Sequence, residues 1–285
     1  MPAPSRVPIA EANVLIASTA RDCVASLEAS IATLEKATAG FAQRQFLIIE
    51  SDSVDGTLEE LARLERDGRI AFESLGSLSK QLPVRTQRIA HCRNRIQDHV
   101  RSVPARYDYI IVADLDGVNV NVDRSALESG WNSVEPWDAL TANQNGIYYD
   151  IWALRHPYWS PDDCWESVRQ LAPLFGSRNA RQMAVYGRQA RLHSGAGLVE
   201  VDSAFGGLAI YRTEAFLAGR YEGVTAEVRE VCEHVPFHAA MRAQGFRIFI
   251  NPLMMNETPS EHLINRPQWN LSTLSAFVKK TMFKK

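Results

Sequence analysis

The sequence has few cysteines, and none of them falls in a motif. Cys23, Cys92, Cys164 and Cys232 lie far apart with no C-x-x-C spacing. That excludes a zinc cluster and a disulfide framework and points to a reducing compartment, the cytoplasm. A charge imbalance is also missing: the formal net charge is -2 and no dense Lys/Arg run occurs before the last few residues. No nucleic-acid partner is therefore expected. No apolar run approaches membrane-spanning length, and the opening MPAPSRVPIAEANVLIAST does not lead from a basic start into a long apolar segment. A soluble protein, at most peripheral to a membrane, is the expectation. Internal repeats and low-complexity segments are absent as well.

What is present is alternation. NVLIAST, Asn13 to Thr19, is a short run rich in branched residues, and Val24, Leu27, Ile31 and Leu34 then recur at helical spacing. The pair reads as strand then helix. Phe46 to Ile49 form a second buried strand, Asp55-Gly56 supplies the turn after it, and Thr57 with Glu60 predicts a capping box for the helix that follows. RIAFES is a third strand, RTQRIAHCRNRIQDHVRS a third helix, and Asp108 to Ala113 a fourth strand. WDALTANQ and GGLAIYR read as strands, VCEHVPFHAAMRAQG as a helix and FRIFINP as a closing strand. Ile147 to Val201, rich in Trp, Tyr and Arg, resists division. Continuous apolar strands between helices predict an α/β fold, a mostly parallel sheet covered on both faces. With 285 residues, 46% of them hydrophobic, one large domain is expected.

The segment VADLDG, ending in Asp114 and Asp116, follows the fourth strand, where an open parallel sheet receives its ligands. Alternate residues of an extended segment point the same way, so both carboxylates can converge on a metal or a phosphate. An Asp-X-Asp-Gly motif also opens phosphohydrolases of the haloacid-dehalogenase type. There it stands near the start of the catalytic domain and is followed by a Ser/Thr, a Lys and an acidic pair after further strands. Here more than a hundred residues precede it, and the downstream pair Asp162-Asp163 has no strand before it. The phosphohydrolase reading loses its weight.

In order along the chain, IIESDSVDGT, CRNR, VADLDG, FGGLAIYR, CEHVPFH and FINP resemble glycosyltransferases of the GT-A fold. Within that fold the sequence is similar to the cryptococcal capsule-associated α-1,3-mannosyltransferase family, with nucleotide-binding elements like those of family 2 enzymes. The similarity rests on Glu50 to Thr57, Arg93-Asn94, Asp114 to Asp116, Tyr149-Asp150 with Trp152, Cys232-Glu233 and Asn251-Pro252. Glu233-His234 stands where family 2 enzymes usually carry Glu-Asp. The resemblance implies a Rossmann-like domain over 13–265, with a nucleotide-sugar-binding half (13–120) and an acceptor-side half (121–265). Residues 1–12 would be an extension and 266–285 a basic helix or tail.

It further implies a nucleoside diphosphate sugar (GDP- or UDP-sugar) as donor, Mn2+ or Mg2+, and a glycan or lipid-linked glycan as acceptor. Mannose transfer with retention is the expected activity in polysaccharide or glycolipid assembly. Asp116 would bind the metal, and Asp114 the ribose or the metal. Glu50, Ser51 and Asp52 would lie against base and ribose, and Arg88, Arg93 and Asn94 against the donor. Arg85 and Arg95 read as a solvated face. Asp150 would contact sugar, with Tyr149 and Trp152 either beside it or in the core. Glu233 would be a general base in an inverting enzyme, or stabilise the sugar cation or orient the acceptor in a retaining one. His262 is the candidate third metal ligand, with His234 and His238 as competitors. The stretch holding Arg178, Arg181, Arg188 and Arg191 reads as a basic loop, either closing over the site or merely exposed. The tail, with Leu271, Leu274, Phe277 and Val278 near four lysines, would touch an anionic membrane or dock on the domain. Two other activities fit less well. A sugar-phosphate nucleotidyltransferase would need a glycine-rich loop where IASTARDC stands, and a silent glycan-binding protein would not need these carboxylates.

Overall fold

The computed structural model describes residues 6–227 and 229–258. The strands are β1 (Asn13–Ala20), β2 (Gln43–Glu50), β3 (Ala71–Ser74), β4 (Tyr109–Ala113), β5 (Ala139–Gln144), β6 (Val199–Val201), β7 (Leu208–Arg212) and β8 (Ile248–Asn256). The helices are α1 (Val24–Ala37), α2 (Thr57–Arg66), α3 (Arg85–Ser102), α4 (Arg124–Glu128), α5 (Cys164–Phe175), α6 (Ser177–Ala184), α7 (Thr213–Phe216) and α8 (His234–Ala243).

The strands form one sheet in the order β3-β2-β1-β4-β7-β5-β8-β6. β1 pairs in parallel with both β2 and β4, and β5 with β8. β7 runs antiparallel between β4 and β5, and β6 antiparallel on β8. The sheet is thus mostly parallel, as the strand-helix alternation requires. Its order reverses at β1 and β4, and the two strands diverge there into a crevice at their carboxyl ends.

Both faces are covered, which is why the strands read as unbroken apolar runs. Leu15, Ala17, Ile110 and Val112 face Ala90, Cys92 and Ile96 of α3 and Phe237 and Met241 of α8. Val14, Ile16 and Ile111 face Leu27, Ile31 and Leu34 of α1 and Leu61 and Leu64 of α2. Each fully buried Val, Leu, Ile, Phe or Met among them contributes about 1.5–3 kcal/mol of transfer free energy. Val24, expected on the buried stripe of α1, is exposed at the helix start.

Two local expectations are corrected. α2 starts without a capping box, because Gly56 holds the N-cap position with φ 92°. Thr57 lies inside the helix, donating to Asp55 Oδ1 at 2.6 Å and accepting from the Cys23 amide at 2.9 Å, so it staples α2 to α1. Glu60 pairs with Arg63 at 2.6 Å instead. The segment read as a basic loop contains α6, joined to α5 at Gly176, whose φ of 77° lets the chain turn between the helices. Asp163 caps α5 through the amides of Trp165 and Glu166, and Asp162 holds Arg188 at 2.6 Å. The downstream acidic pair therefore serves this helix and its neighbour.

Candidate functional site

The crevice between β1 and β4 opens into a cleft of about 480 Å³. Thr19, Ala20 and Arg21 enter it from the end of β1, Ser51 from the end of β2, and Asp114 to Asp116 from the end of β4. Arg85, Arg88, Cys92 and Arg93 line it from α3, Tyr149, Asp150 and Trp152 from the loop after β5, and Cys232 to His234 from the start of α8.

The turn after β4 is clamped by backbone contacts. The Asp114 amide donates to the Gly207 carbonyl at 2.9 Å, and Asn119 Nδ2 donates to the carbonyls of Asp114 and Gly207 at 2.8 and 3.1 Å. A Cβ on Gly207 would stand 2.7 Å from Val118 Cγ1, so glycine is what lets the two turns lie this close. Asp116, exposed at the mouth, accepts from the Val118 amide at 3.2 Å. Asp114 lies deeper, its side chain 33% exposed.

Arg93 reaches from α3 into the floor. One guanidinium nitrogen lies 3.5 Å from Asp114 Oδ1, and the other meets both Glu233 Oε1 and His234 Nε2. Its plane covers Phe205 at 4.8 Å, and His234 stacks on the same ring at 4.0 Å. Burial pushes the His234 imidazole well below its ordinary pKa, with the Arg93 charge adding to the effect, so the ring is neutral and Nε2 accepts from Arg93. Asp150 accepts from the amides of Gly206 at 2.9 Å and Ala153 at 3.4 Å, and burial raises its pKa.

Around this floor stand four carboxylates and one buried arginine. Burial pushes Asp114 up to about 7; Arg93 opposes the shift, while Asp116, Asp150 and Glu233 add to it. Surplus negative charge of this kind suits a hard cation taken up with a phosphate-bearing substrate, since magnesium and manganese use one or two protein carboxylates plus phosphate oxygens. Asp114 and Asp116 supply that donor chemistry. Among the described residues no group of three or more His, Cys, Asp or Glu is placed to hold an ion alone.

The structure thus brings Ser51, Arg88, Arg93, Asp114, Asp116, Asp150 and Glu233 to one cleft. It places the others elsewhere. Glu50 is buried behind the strand ends, accepting from the Ser53 amide at 2.9 Å and from the Ser74 hydroxyl. Asp52, at φ 62°, accepts from the Ser79 amide at 2.9 Å and stands 3.7 Å from Arg88 Nε. Asn94 is turned away from the cleft: its amide bonds the Tyr221 backbone at both ends, at 2.8 and 2.9 Å. His238 sits in the core between Ser203 Oγ at 2.9 Å and the Tyr211 hydroxyl at 3.0 Å, and burial pushes it down to about 3. His262 and the basic tail lie outside the described residues. Arg95 pairs with Glu73 at 2.9 Å on the surface, and Arg85, also read as solvated, is exposed and stands at the rim of the cleft. Sequence reading counted FGGLAIYR among the GT-A-like segments but gave no role to Phe205, the platform under Arg93, or to the Gly206-Gly207 turn; two glycines opening a strand were the available signal.

No family model matches the sequence, and no curated protein matches it. Solved structures do. A mannosyltransferase from Pyrobaculum calidifontis, in complex with GDP-Man and Mn2+, aligns with TM-score 0.52 and 15% identity over 87% of this chain and 57% of its own. S. aureus TarS 1-349 in complex with UDP aligns with TM-score 0.51 and 12% identity over 88% of this chain and 62% of its own. The chain spans less than two thirds of either protein. At these identities the likeness is one of fold, and that fold is GT-A: a single α/β domain with an eight-stranded, mostly parallel sheet.

Proposed function

We propose that this protein is a metal-dependent glycosyltransferase that moves a hexose, by resemblance mannose, from a nucleoside diphosphate sugar to a glycan hydroxyl with retention. The observation that carries the reading is the position of Asp114 and Asp116 at the β1/β4 crevice, facing Arg93, Asp150 and Glu233 across one cleft. The fold shared with a GDP-Man complex and a UDP complex supports it. Residues 13–120 form the donor half and 121–265 the acceptor half.

Asp116 would hold the metal ion together with Asp114, and His262, which lies outside the described residues, is the candidate third ligand. When bound, Mn2+ or Mg2+ supplies a Lewis acid that neutralises the departing diphosphate. Ser51 and Arg88 lie beside the nucleoside, and Asp52 orients Arg88. Arg93 holds Glu233 and Asp114 at fixed separation. Glu233 faces the acceptor hydroxyl, and Asp150 bonds the transferred sugar. The acceptor is a glycan, free or lipid-linked.

The test is a thermal-shift series with GDP, UDP, GDP-mannose and UDP-glucose, each with and without Mn2+. A ligand at a hundred times its dissociation constant adds about 2.7 kcal/mol, which raises Tm by roughly 4–5 °C in a chain of this size. One nucleotide should do so with Mn2+, and Asp116→Ala should abolish the metal-dependent part. The reading fails if no nucleoside diphosphate stabilises the protein, or if Asp116→Ala keeps the full Mn2+ effect.

A further inference from the structure

Between Glu166 and Glu200 the sequence contains no acidic residue but five arginines. Two are paired, Arg169 with Glu166 and Arg188 with Asp162, each at 2.6 Å. Arg178, Arg181 and Arg191 are exposed and make no ion pair among the described residues. The first two lie on α6, which packs against the body through small side chains: Ala180 and Ala184 are its buried residues. Its large side chains point outward. Met183 is 52% exposed, and at the end of α5 Leu174 and Phe175 are 73% and 49% exposed. α5 keeps Cys164, Trp165 and Val168 toward the core, so the outward Leu174, Phe175 and Met183 beside Arg178 and Arg181 are surplus to the packing of the two helices.

We propose that the α5–α6 corner docks this protein on an anionic phospholipid surface. Leu174, Phe175 and Met183 enter the boundary between headgroups and acyl chains, while the arginine stems lie along it and their guanidinium groups pair with lipid phosphate. Charge complementarity selects this occupant. Arg178 and Arg181 carry the charge at the corner, and an anionic bilayer matches both at once beside the three apolar side chains. Two cations and three partly inserted side chains give reversible attachment, of the order of a single myristoyl chain, about 10⁴ M⁻¹. The corner is also well placed. Asp163, the cap at the opposite end of α5, accepts at 3.1 Å from Trp152 Nε1, and Trp152 lines the cleft. Twelve residues of α5 span about 18 Å at 1.5 Å each, so the docked corner would hold the cleft edge near the bilayer.

The test is co-sedimentation of the full chain with vesicles of phosphatidylcholine alone and with one third phosphatidylglycerol. Binding should require the anionic lipid and weaken in 0.5 M salt. Arg178→Ala/Arg181→Ala should lower the partition coefficient about 30-fold, and Leu174→Ser/Phe175→Ser should lower it by a similar factor at unchanged charge. Both pairs are exposed, so Tm and the nucleotide response should stay as in the parent protein, which separates failure here from failure of the glycosyltransferase reading. A third variant, Lys279→Ala/Lys280→Ala/Lys284→Ala/Lys285→Ala, identifies the tail's share. The proposal is overturned if no vesicle binds the chain, if the corner variants bind as the parent does while the tail variant does not, or if the corner substitutions instead dissociate a dimer.

Discussion

Arg93 and Glu233 meet as an ion pair whose side chains are only 6% and 8% exposed, although the two residues lie 140 positions apart. The pair joins α3 to the start of α8 across the cleft. Removing one member of a buried pair leaves an uncompensated charge, at a cost of about 3–5 kcal/mol. Arg93→Ala should therefore lower the urea midpoint strongly while leaving Glu233 and Asp114 unpartnered. Arg93→Lys should recover little of that, because one ammonium cannot replace a planar fork that spans Asp114, Glu233 and His234. Urea unfolding of the two variants and of the parent checks the order; equal stability of Arg93→Lys and parent would show that the fork is not needed.

Asn94 tests whether a residue in the right helix touches the donor. Its side chain accepts from the Tyr221 amide and donates to the Tyr221 carbonyl, and the Tyr221 ring packs on Phe237 at 4.2 Å and near Arg93 at 5.6 Å. Asn94→Ala should leave two backbone groups of the segment before α8 without partners and cost about 1–3 kcal/mol. Nucleotide affinity, read by calorimetry, should change less than twofold. A tenfold loss of nucleotide affinity at unchanged stability would return Asn94 to the donor site.

These two residues also show what a sequence can and cannot reveal. The period of apolar residues predicted β1, α1, β2, α3 and β4 because their burial is local and regular, and the position of Asp114 at a strand end followed from that. The side toward which a polar helix residue points is another matter. Arg93 and Asn94 are adjacent, yet one lies under the cleft and the other holds a loop, and only the packing of α3 against residues 221–234 decides between them. Antiparallel β7 inside a parallel sheet was equally hidden, since its partners, β4 and β5, lie far off in sequence. Residues 147–201 resisted division because they fold as irregular segments and short helices, two of which leave Leu174, Phe175 and Met183 exposed.

The raised pKa of Asp114 predicts a specific pH dependence. An aspartate in an unfolded chain ionises near 3.9, whereas desolvation at the cleft floor, opposed by Arg93 and reinforced by Asp116, Asp150 and Glu233, pushes half-buried Asp114 up to about 7. Below about pH 4 both states are protonated and the residue contributes nothing. As pH rises from there to about 7 the unfolded chain loses its proton first, so the folded state is progressively penalised; above about 7 the penalty is constant. Asp114→Asn removes this contribution. In EDTA its stability relative to the parent should therefore climb between pH 4 and 7 and level off, in urea titrations at pH 5, 6, 7 and 8. Mn2+ with the stabilising nucleotide should narrow the difference at pH 8, since a bound cation favours the ionised carboxylate that the variant lacks. A parent and variant whose difference is flat from pH 5 to 8 would mean that Arg93 and solvent already satisfy Asp114, and that the surplus charge assigned to this cleft is not there.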